Sequence, residues 1–194
     1  MNIDIDLSKV ELQTERLLLR TWRESDLDDL YEYASVDGVG QMAGWTPHKD
    51  KNESAEILNI FIRKKKTFAV EYRNKVIGSI GIENYNEYLL SELSDKRGCE
   101  LGFVLSKDYW GKGFMVEAVR EVIRYLFEES DLDFIICGFF EWNIQSKRVQ
   151  EKCGFHEYSS TKTVTGDGKI ENTILNILNK EEWSGGSLYR KNNV

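Results

Sequence analysis

The chain has 194 residues, 41% of them hydrophobic and 30% charged, which suits one globular domain able to bury a core without disulfide staples and excludes a disordered segment. Its net charge of −7 argues against a generic nucleic-acid binder, whose phosphate contacts need a basic face. An acidic surface either favours a cationic substrate (an amine, a polyamine or a basic peptide) or simply keeps the chain soluble.

The acidic start "MNIDIDLSKVELQ" lacks the apolar core of a signal peptide, and no apolar run is long enough to span a bilayer. "LQTERLLLRTW", Leu12 to Trp22, reads as a strand. Asp26 is placed to cap a helix over "DLDDLYEYAS", whose apolar residues are Leu27, Leu30, Tyr31 and Ala34. A loop with glycines and the only proline, Pro47, precedes a second helix, "ESAEILNIFIRKKK", with Ala55, Leu58 and Ile62 on one face. "TFAVEY" and "KVIGSIGIENY" form a hairpin joined at Arg73-Asn74. "YNEYLLSELSDKRG" is a loop or a short helical turn, and "CELGFVLS" is the next strand.

After "KDYWGKG" comes a long amphipathic helix, Phe114 to Glu129, with Met115, Val119, Val122 and Leu126 as its stripe. "DFIICGFF" is a continuous apolar run, as in a strand covered on both faces. Asn143 can cap a short helix, "IQSKRVQEKC", which Gly154 ends. "FHEYSSTKTVT", the turn "GDGK" and "IENTILNIL" make a final strand pair, and residues 184–194 read as a frayed tail. The order gives a single α/β (α+β) domain over residues 1–194 with a mixed, mostly antiparallel sheet. One parallel crossover is expected around Gly113. Cys99, Cys137 and Cys153 are odd in number, widely spaced and apart from His48 and His156. They read as reduced, buried thiols of a cytoplasmic protein, and no metal site is expected.

"WGKGFM" at the strand–helix junction admits two readings. The first backbone N–H groups of a helix lack intrahelical acceptors and, with the macrodipole, favour an anion. Glycine lets a ligand approach the backbone, so Gly111, Lys112 and Gly113 suit a diphosphate; equally, two glycines there make a tight bend. The segment is neither a Walker P-loop nor a dinucleotide fingerprint, since Lys112 is not followed by Ser or Thr and "GKGFMV" has no third glycine.

"ELGFVLSKDYWGKGFMVEAVREVIRYLF" resembles the central motif of the GNAT acetyltransferase superfamily, and more closely the RimJ/RimL-like branch that acetylates the N-terminal alanine of ribosomal proteins. "TERLLLRTWRESDLDDLY", "VIGSIGI", "NIQSKRVQEKCGF" and "NKEEW" agree, so the resemblance runs from about Gln13 to Trp183. It implies a GNAT-type fold, with a central sheet splayed in the middle and helices on both faces, and acetyl-CoA as cosubstrate. The pyrophosphate would sit on the amides of Gly111 to Met115, with Trp110 and Phe114 in the same loop. The pantetheine would run beside Phe103, Val104 and Leu105, Asn143 would contact it, and Ser146 would lie near the sulfur. Met115 stands where relatives have a small residue. Asn172 and Asn176 stand where relatives often carry Asp and Tyr. A homodimer is a family habit.

Acetyl transfer to an amine needs a neutral amine, alignment with the thioester, a donor for the developing oxyanion and a proton for the thiolate. An α-amine of pKa ~8 is roughly a tenth neutral at pH 7, a lysine side chain only about one part in a few thousand, so an α-amine needs the weaker base. Glu100 is the candidate base, beside Gly102 on the strand face away from Cys99 and Leu101; its alternative is a structural glutamate. The oxyanion donor is a backbone N–H near Val104 or Leu105. Ser146 is the candidate proton donor to the thiolate, or a solvated first-turn residue; Asn143 is also a plain N-cap. Lys147, Arg148 and Lys152 either meet the nucleotide 3′-phosphate or are surface charge. Trp22 and Trp45, with the loop from Val39 to His48, either wall the acceptor cleft or pack in the core. The expected activity is N-acetylation of a protein N-terminal α-amine, without direct nucleic-acid or membrane binding. The alternatives are acetylation of a small amine such as a polyamine or an aminoglycoside, and a non-catalytic CoA-binding regulatory module.

Overall fold

A computed structural model describes residues 1–185; most of the expected tail, residues 186–194, lies outside the described residues. Residues 180–185 are helical rather than frayed.

The stretch from Leu12 to Trp22 is not one strand. It folds back at a turn where the Thr14 N–H donates to the Leu17 carbonyl at 2.9 Å, giving β1 (Leu12–Gln13) and β2 (Leu18–Thr21). Next come α1 (Leu27–Ala34), α2 (Lys51–Lys64), β3 (Thr67–Tyr72), β4 (Lys75–Glu83), β5 (Gly98–Leu105), α3 (Phe114–Glu129), β6 (Phe134–Phe140), α4 (Ile144–Lys152), β7 (His156–Val164), β8 (Ile170–Asn179) and α5 (Lys180–Gly185). The β3–β4 hairpin turns at Arg73 and Asn74, with φ of 52° and 63°, the double left-handed geometry that tight two-residue hairpin turns require.

Asp26 does not cap α1. Its buried carboxylate takes both ends of the Arg20 guanidinium, at 2.8 and 2.9 Å, and the Arg23 N–H at 2.8 Å. Glu71 takes the remaining side of Arg20 at 2.6 Å. Removing Arg20 would leave two carboxylates uncompensated in the interior, a loss on the order of 3–5 kcal/mol.

The sheet order is β1-β2-β3-β4-β5-β6-β8-β7. Only β5 and β6 run parallel, joined through α3. One face packs on α3 and α4, with Phe68, Ile80, Leu101, Ile135, Val119 and Leu126 in its core. The other carries α1 and α2 over β2 to β4 and a separate cluster around Tyr85, Leu93, Phe134 and Ile136.

β5 and β6 stay paired only from Gly98–Phe134 to Leu101–Cys137. Past that point β5 remains on β4 through Gly102–Gly81 and Leu105–Gly78, while β6 remains on β8 through Gly138–Leu175 and Phe140–Thr173. A wedge-shaped gap therefore opens in mid-sheet. A Cβ on Gly78 would collide with the Val104 carbonyl, so the glycine lets β5 lean onto β4 where it leaves β6.

Candidate active site

The loop after β5 is built around two backbone positions only glycine takes without strain: Gly111 at φ 74° and Gly113 at φ 80°. They aim the start of α3 back along the gap. The first intrahelical bond runs from the Glu117 N–H to the Gly113 carbonyl, so the amides of Phe114, Met115 and Val116 have no helical acceptor. The Trp110 indole N–H ties the loop to the Leu105 carbonyl at 2.8 Å. Arg16, from the β1–β2 turn, donates to the Lys112 carbonyl at 3.1 Å and lies 4.2 Å over the Phe114 ring. Glu117 closes this clamp. It pairs with Arg16 at 2.6 Å and accepts from the Thr14 hydroxyl and the Arg16 N–H. Burial opposes its ionisation, but these hydrogen bonds prevail and hold Glu117 below the usual carboxylate range. Lys112 bends back to the Asp108 carbonyl at 2.7 Å and stays exposed. Met115 sends its side chain into the core, 5% exposed, so its bulk does not fill the loop.

A cleft of about 570 Å³ runs from Gly111 and Gly113 along the gap to α4. The register fixes what its edges offer. The Ser106 N–H donates to the Ile77 carbonyl at 2.7 Å, bracketing Gly78–Leu105 as a non-hydrogen-bonded pair. Leu105 and, two residues back, Phe103 thus turn N–H and C=O toward the gap, whereas Val104 turns its N–H to β4. On the opposite edge, the Glu141 N–H donates to the Asn172 carbonyl, which by the same rule turns Gly138 and Phe140 toward the gap. Their carbonyls are taken already, by the Gln150 side chain at 3.3 Å and by the Asn143 N–H at 2.7 Å. On β5 the Leu105 carbonyl is taken by the Trp110 indole, so the open edge is the Phe103 N–H and carbonyl with the Leu105 N–H.

Ser146, Asn143, Arg148 and Lys152 line the α4 side of the cleft. Asn143 does two jobs: its Oδ1 caps α4 through the Ser146 N–H at 3.0 Å, and its Nδ2 donates to the Met42 carbonyl at 3.0 Å. Lys147 points to Glu151 at 3.9 Å and does not line the cleft.

On the sheet face bearing α1 and α2, Gly81, Gly102 and Gly138 lie side by side across β4, β5 and the gap. A Cβ on Gly102 would meet nothing within 4 Å. Glu100 and Glu83 are paired directly across β4 and β5. The Glu100 carboxylate lies 3.6 Å from where a Gly138 Cβ would sit, and that of Glu83 3.7 Å from where a Gly81 Cβ would sit. Among the described residues neither carboxylate has a hydrogen bond or an ion pair. Burial first, and then the facing Glu83 charge, push Glu100 above the usual carboxylate range.

The two tryptophans fall elsewhere. Trp22 is buried in the layer under α1 and α2 against Phe61, ring centroids 5.3 Å apart, and is not brought to the cleft. Trp45 packs on Gly40 and beside His48; from the same loop it is Val39 and Met42 that reach the cleft. Cys99, Cys137 and Cys153 are buried, and none is in a disulfide among the described residues. Burial pushes each thiol up, Cys153 to about 12, so none is a ready thiolate. Among the described residues no group of His, Cys, Asp and Glu is arranged to hold a metal ion, and no helix is long and apolar enough to cross a membrane.

Reading the sequence missed the clamp of Arg16 on Glu117, the facing Glu83, and the pairing of Gln150 with Asn176 at 2.9 Å. For the clamp a signal existed: "TER" and "GFMVEA" both sit in the segments that carried the resemblance.

The sequence matches the acetyltransferase (GNAT) domain over residues 16–156. It is 25% identical over 182 residues to the N-acetyltransferase p20 of Bacillus licheniformis, covering 90% of this chain and 98% of that one. It is 23% identical over 193 residues to the ribosomal protein uS5-alanine N-acetyltransferase of Escherichia coli, covering 93% and 96%. Among solved structures, a GNAT-family acetyltransferase from Bacillus anthracis superposes with a TM-score of 0.77 at 23% identity, covering 89% of this chain and 99% of that one.

Proposed function

The chain belongs to the GNAT acetyltransferase family, which its match over residues 16–156 shows, and from that premise we propose that this N-acetyltransferase acts on the α-amine at a protein N-terminus, of the alanine type. The observation that carries the reading is Glu100. It is an unpaired, partly buried carboxylate beside an open glycine floor at the parting of β5 and β6. The similarity to the ribosomal protein uS5-alanine enzyme supports it, as does the chain's net charge of −7.

The residues present fit acetyl-CoA. Gly111 leaves space where a Cβ would intrude, the amides of Phe114, Met115 and Val116 suit a pyrophosphate, and Arg148 and Lys152 flank the cleft for further phosphate charge. The open edge of β5 offers the Phe103 N–H and carbonyl to an amide-bearing arm, which would extend the sheet into the gap. Bound there, acetyl-CoA supplies an acyl group already activated toward amines.

The chain's own residues then do four things. The gap aligns the thioester with an amine over Gly102. Glu100 accepts the proton that the ammonium must lose and passes it to solvent. Of the two candidate amides for the oxyanion, Leu105 faces the gap and Val104 does not, so Leu105 donates to the carbonyl oxygen as its charge grows. Ser146 hydrogen-bonds the departing thiolate, which takes its proton from solvent. No protein nucleophile is needed.

The test is free-thiol release from acetyl-CoA with a panel of amines. Turnover of an Ala- or Ser-initiated peptide supports the reading. Turnover confined to polyamines or aminoglycosides replaces it with a small-amine enzyme. Tight CoA binding without turnover of any amine points to a binding module, and absence of CoA binding ends the whole reading.

A further inference from the structure

We propose that the buried amide pair Gln150–Asn176 is a positioning device that fixes the direction of the Ser146 hydroxyl. It rests on the role of Ser146 given above.

Gln150 sits on α4 with 0% exposure and Asn176 on β8 with 4%. Burying a primary amide is costly unless its donors and acceptor are met. Those of Gln150 are met in one connected set that includes Asn176. Asn176 Nδ2 donates to Gln150 Oε1 at 2.9 Å. Gln150 Nε2 then donates to the Gly138 carbonyl at 3.3 Å and to Ser146 Oγ at 3.1 Å. The Gly138 carbonyl decides which way the Gln150 amide lies. Turned over, Gln150 would set its own oxygen against that carbonyl, oxygen to oxygen.

The consequence is directional. Ser146 Oγ accepts from Gln150, so its own hydrogen cannot point there. Its backbone N–H is spent on Asn143, and the hydroxyl makes no back-bond to the carbonyl one turn earlier, the usual competitor for a helical serine. The hydroxyl hydrogen is left to point into the cleft that Ser146 lines, where the sulfur departs. The same Gln150 side chain covers the Gly138 carbonyl that loses its ladder partner when β6 parts from β5. One residue therefore closes the β6 edge and orients the donor.

The pair is tested with acetyl-CoA and an Ala-initiated peptide. Gln150→Leu is expected to lower kcat about 10-fold or more, the worth of one hydrogen bond to a charged atom, with KM for both substrates unchanged. Ser146→Ala should do the same, and Gln150→Leu should cost nothing further in the Ser146→Ala background. Asn176→Asp provides a second route without loss of volume. Above the pH at which it ionises, the buried carboxylate introduced by that substitution can only accept, so Gln150 must turn over, and Ser146 then donates to it instead of to the cleft; kcat measured there falls with acetyl-CoA binding retained. The inference is overturned if Gln150→Leu or Asn176→Asp keeps the original kcat, if Ser146→Ala has no effect, or if the Gln150→Leu loss persists in full without the serine hydroxyl. Absence of turnover by the unaltered protein on any amine would instead overturn the acetyltransferase reading itself.

Discussion

The two sides of the central gap are built from different materials. On the side proposed for the coenzyme the groups on offer are backbone amides, aimed by Gly111 and Gly113 and held by Arg16, Glu117 and Trp110. On the side proposed for the acceptor they are side chains: Glu83 and Glu100, without partners among the described residues, leaning over glycines. A site made of backbone tolerates substitution that preserves its dihedrals, so Met115 can stand where the resemblance implies a small residue. A site made of side chains tolerates backbone neighbours of many kinds but not the loss of a single carboxylate.

The difference can be broken most severely at Glu100. Glu100→Gln should lower the rate about 100-fold or more where Glu100 is ionised and the amine is still protonated, as for removal of a general base. The deficit should shrink toward alkaline pH, where the amine is neutral without help; initial rates across pH measure it, and a parallel drop at every pH would remove Glu100 as the base. On the coenzyme side, Met115→Ala should act on stability and not on the ligand. Emptying a core position costs about 2–5 kcal/mol, read as a lower Tm, while acetyl-CoA affinity stays near its original value. Gly113→Val is the reverse case. Its new Cβ meets only Arg16, at an ordinary 3.6 Å, but its φ of 80° strains any side chain by about 1–3 kcal/mol. Calorimetry should show acetyl-CoA affinity reduced about 10- to 100-fold, and unchanged affinity would mean that the loop amides do not hold the pyrophosphate.

The same contrast explains what the sequence disclosed. Features dictated by local backbone chemistry were legible: the Asn143 cap and Gly154 around α4, the Arg73-Asn74 turn, and the glycine loop before α3. Features settled between distant segments were not. No glycine or proline marks the turn at Thr14 to Leu17 that splits the first strand. Asp26 follows the rule for a cap, yet an ion pair with Arg20, which Glu71 also holds, claims its carboxylate. Trp22 reads either as a cleft wall or as core, and only Phe61, far along the chain, decides for the core. Nothing local marks Gln150 as buried, and only the approach of β8 brings Asn176 to it. Glu83 lies at a strand end, and its meaning comes from the register that sets it opposite Glu100.

Glu83 gives the mildest and most informative variant. Burial is the larger cause of the raised Glu100 pKa, and the Glu83 charge is the smaller one. Glu83→Gln removes only the smaller. Glu100 then loses its proton at a lower pH, so the acid limb of kcat/KM moves down, and the enzyme keeps more of its activity in mildly acidic buffer. The limb does not reach the position of an exposed carboxylate, because burial persists. The acceptor loses one attractive charge at an exposed site, worth about 0.2–1 kcal/mol, so its KM rises a few-fold at most, and added salt narrows the gap between variant and original. A limb that stays fixed while KM rises would confine Glu83 to attracting the acceptor. A limb that moves up would mean that the activity follows some group other than Glu100, because deleting a negative neighbour can only ease the ionisation of a carboxyl.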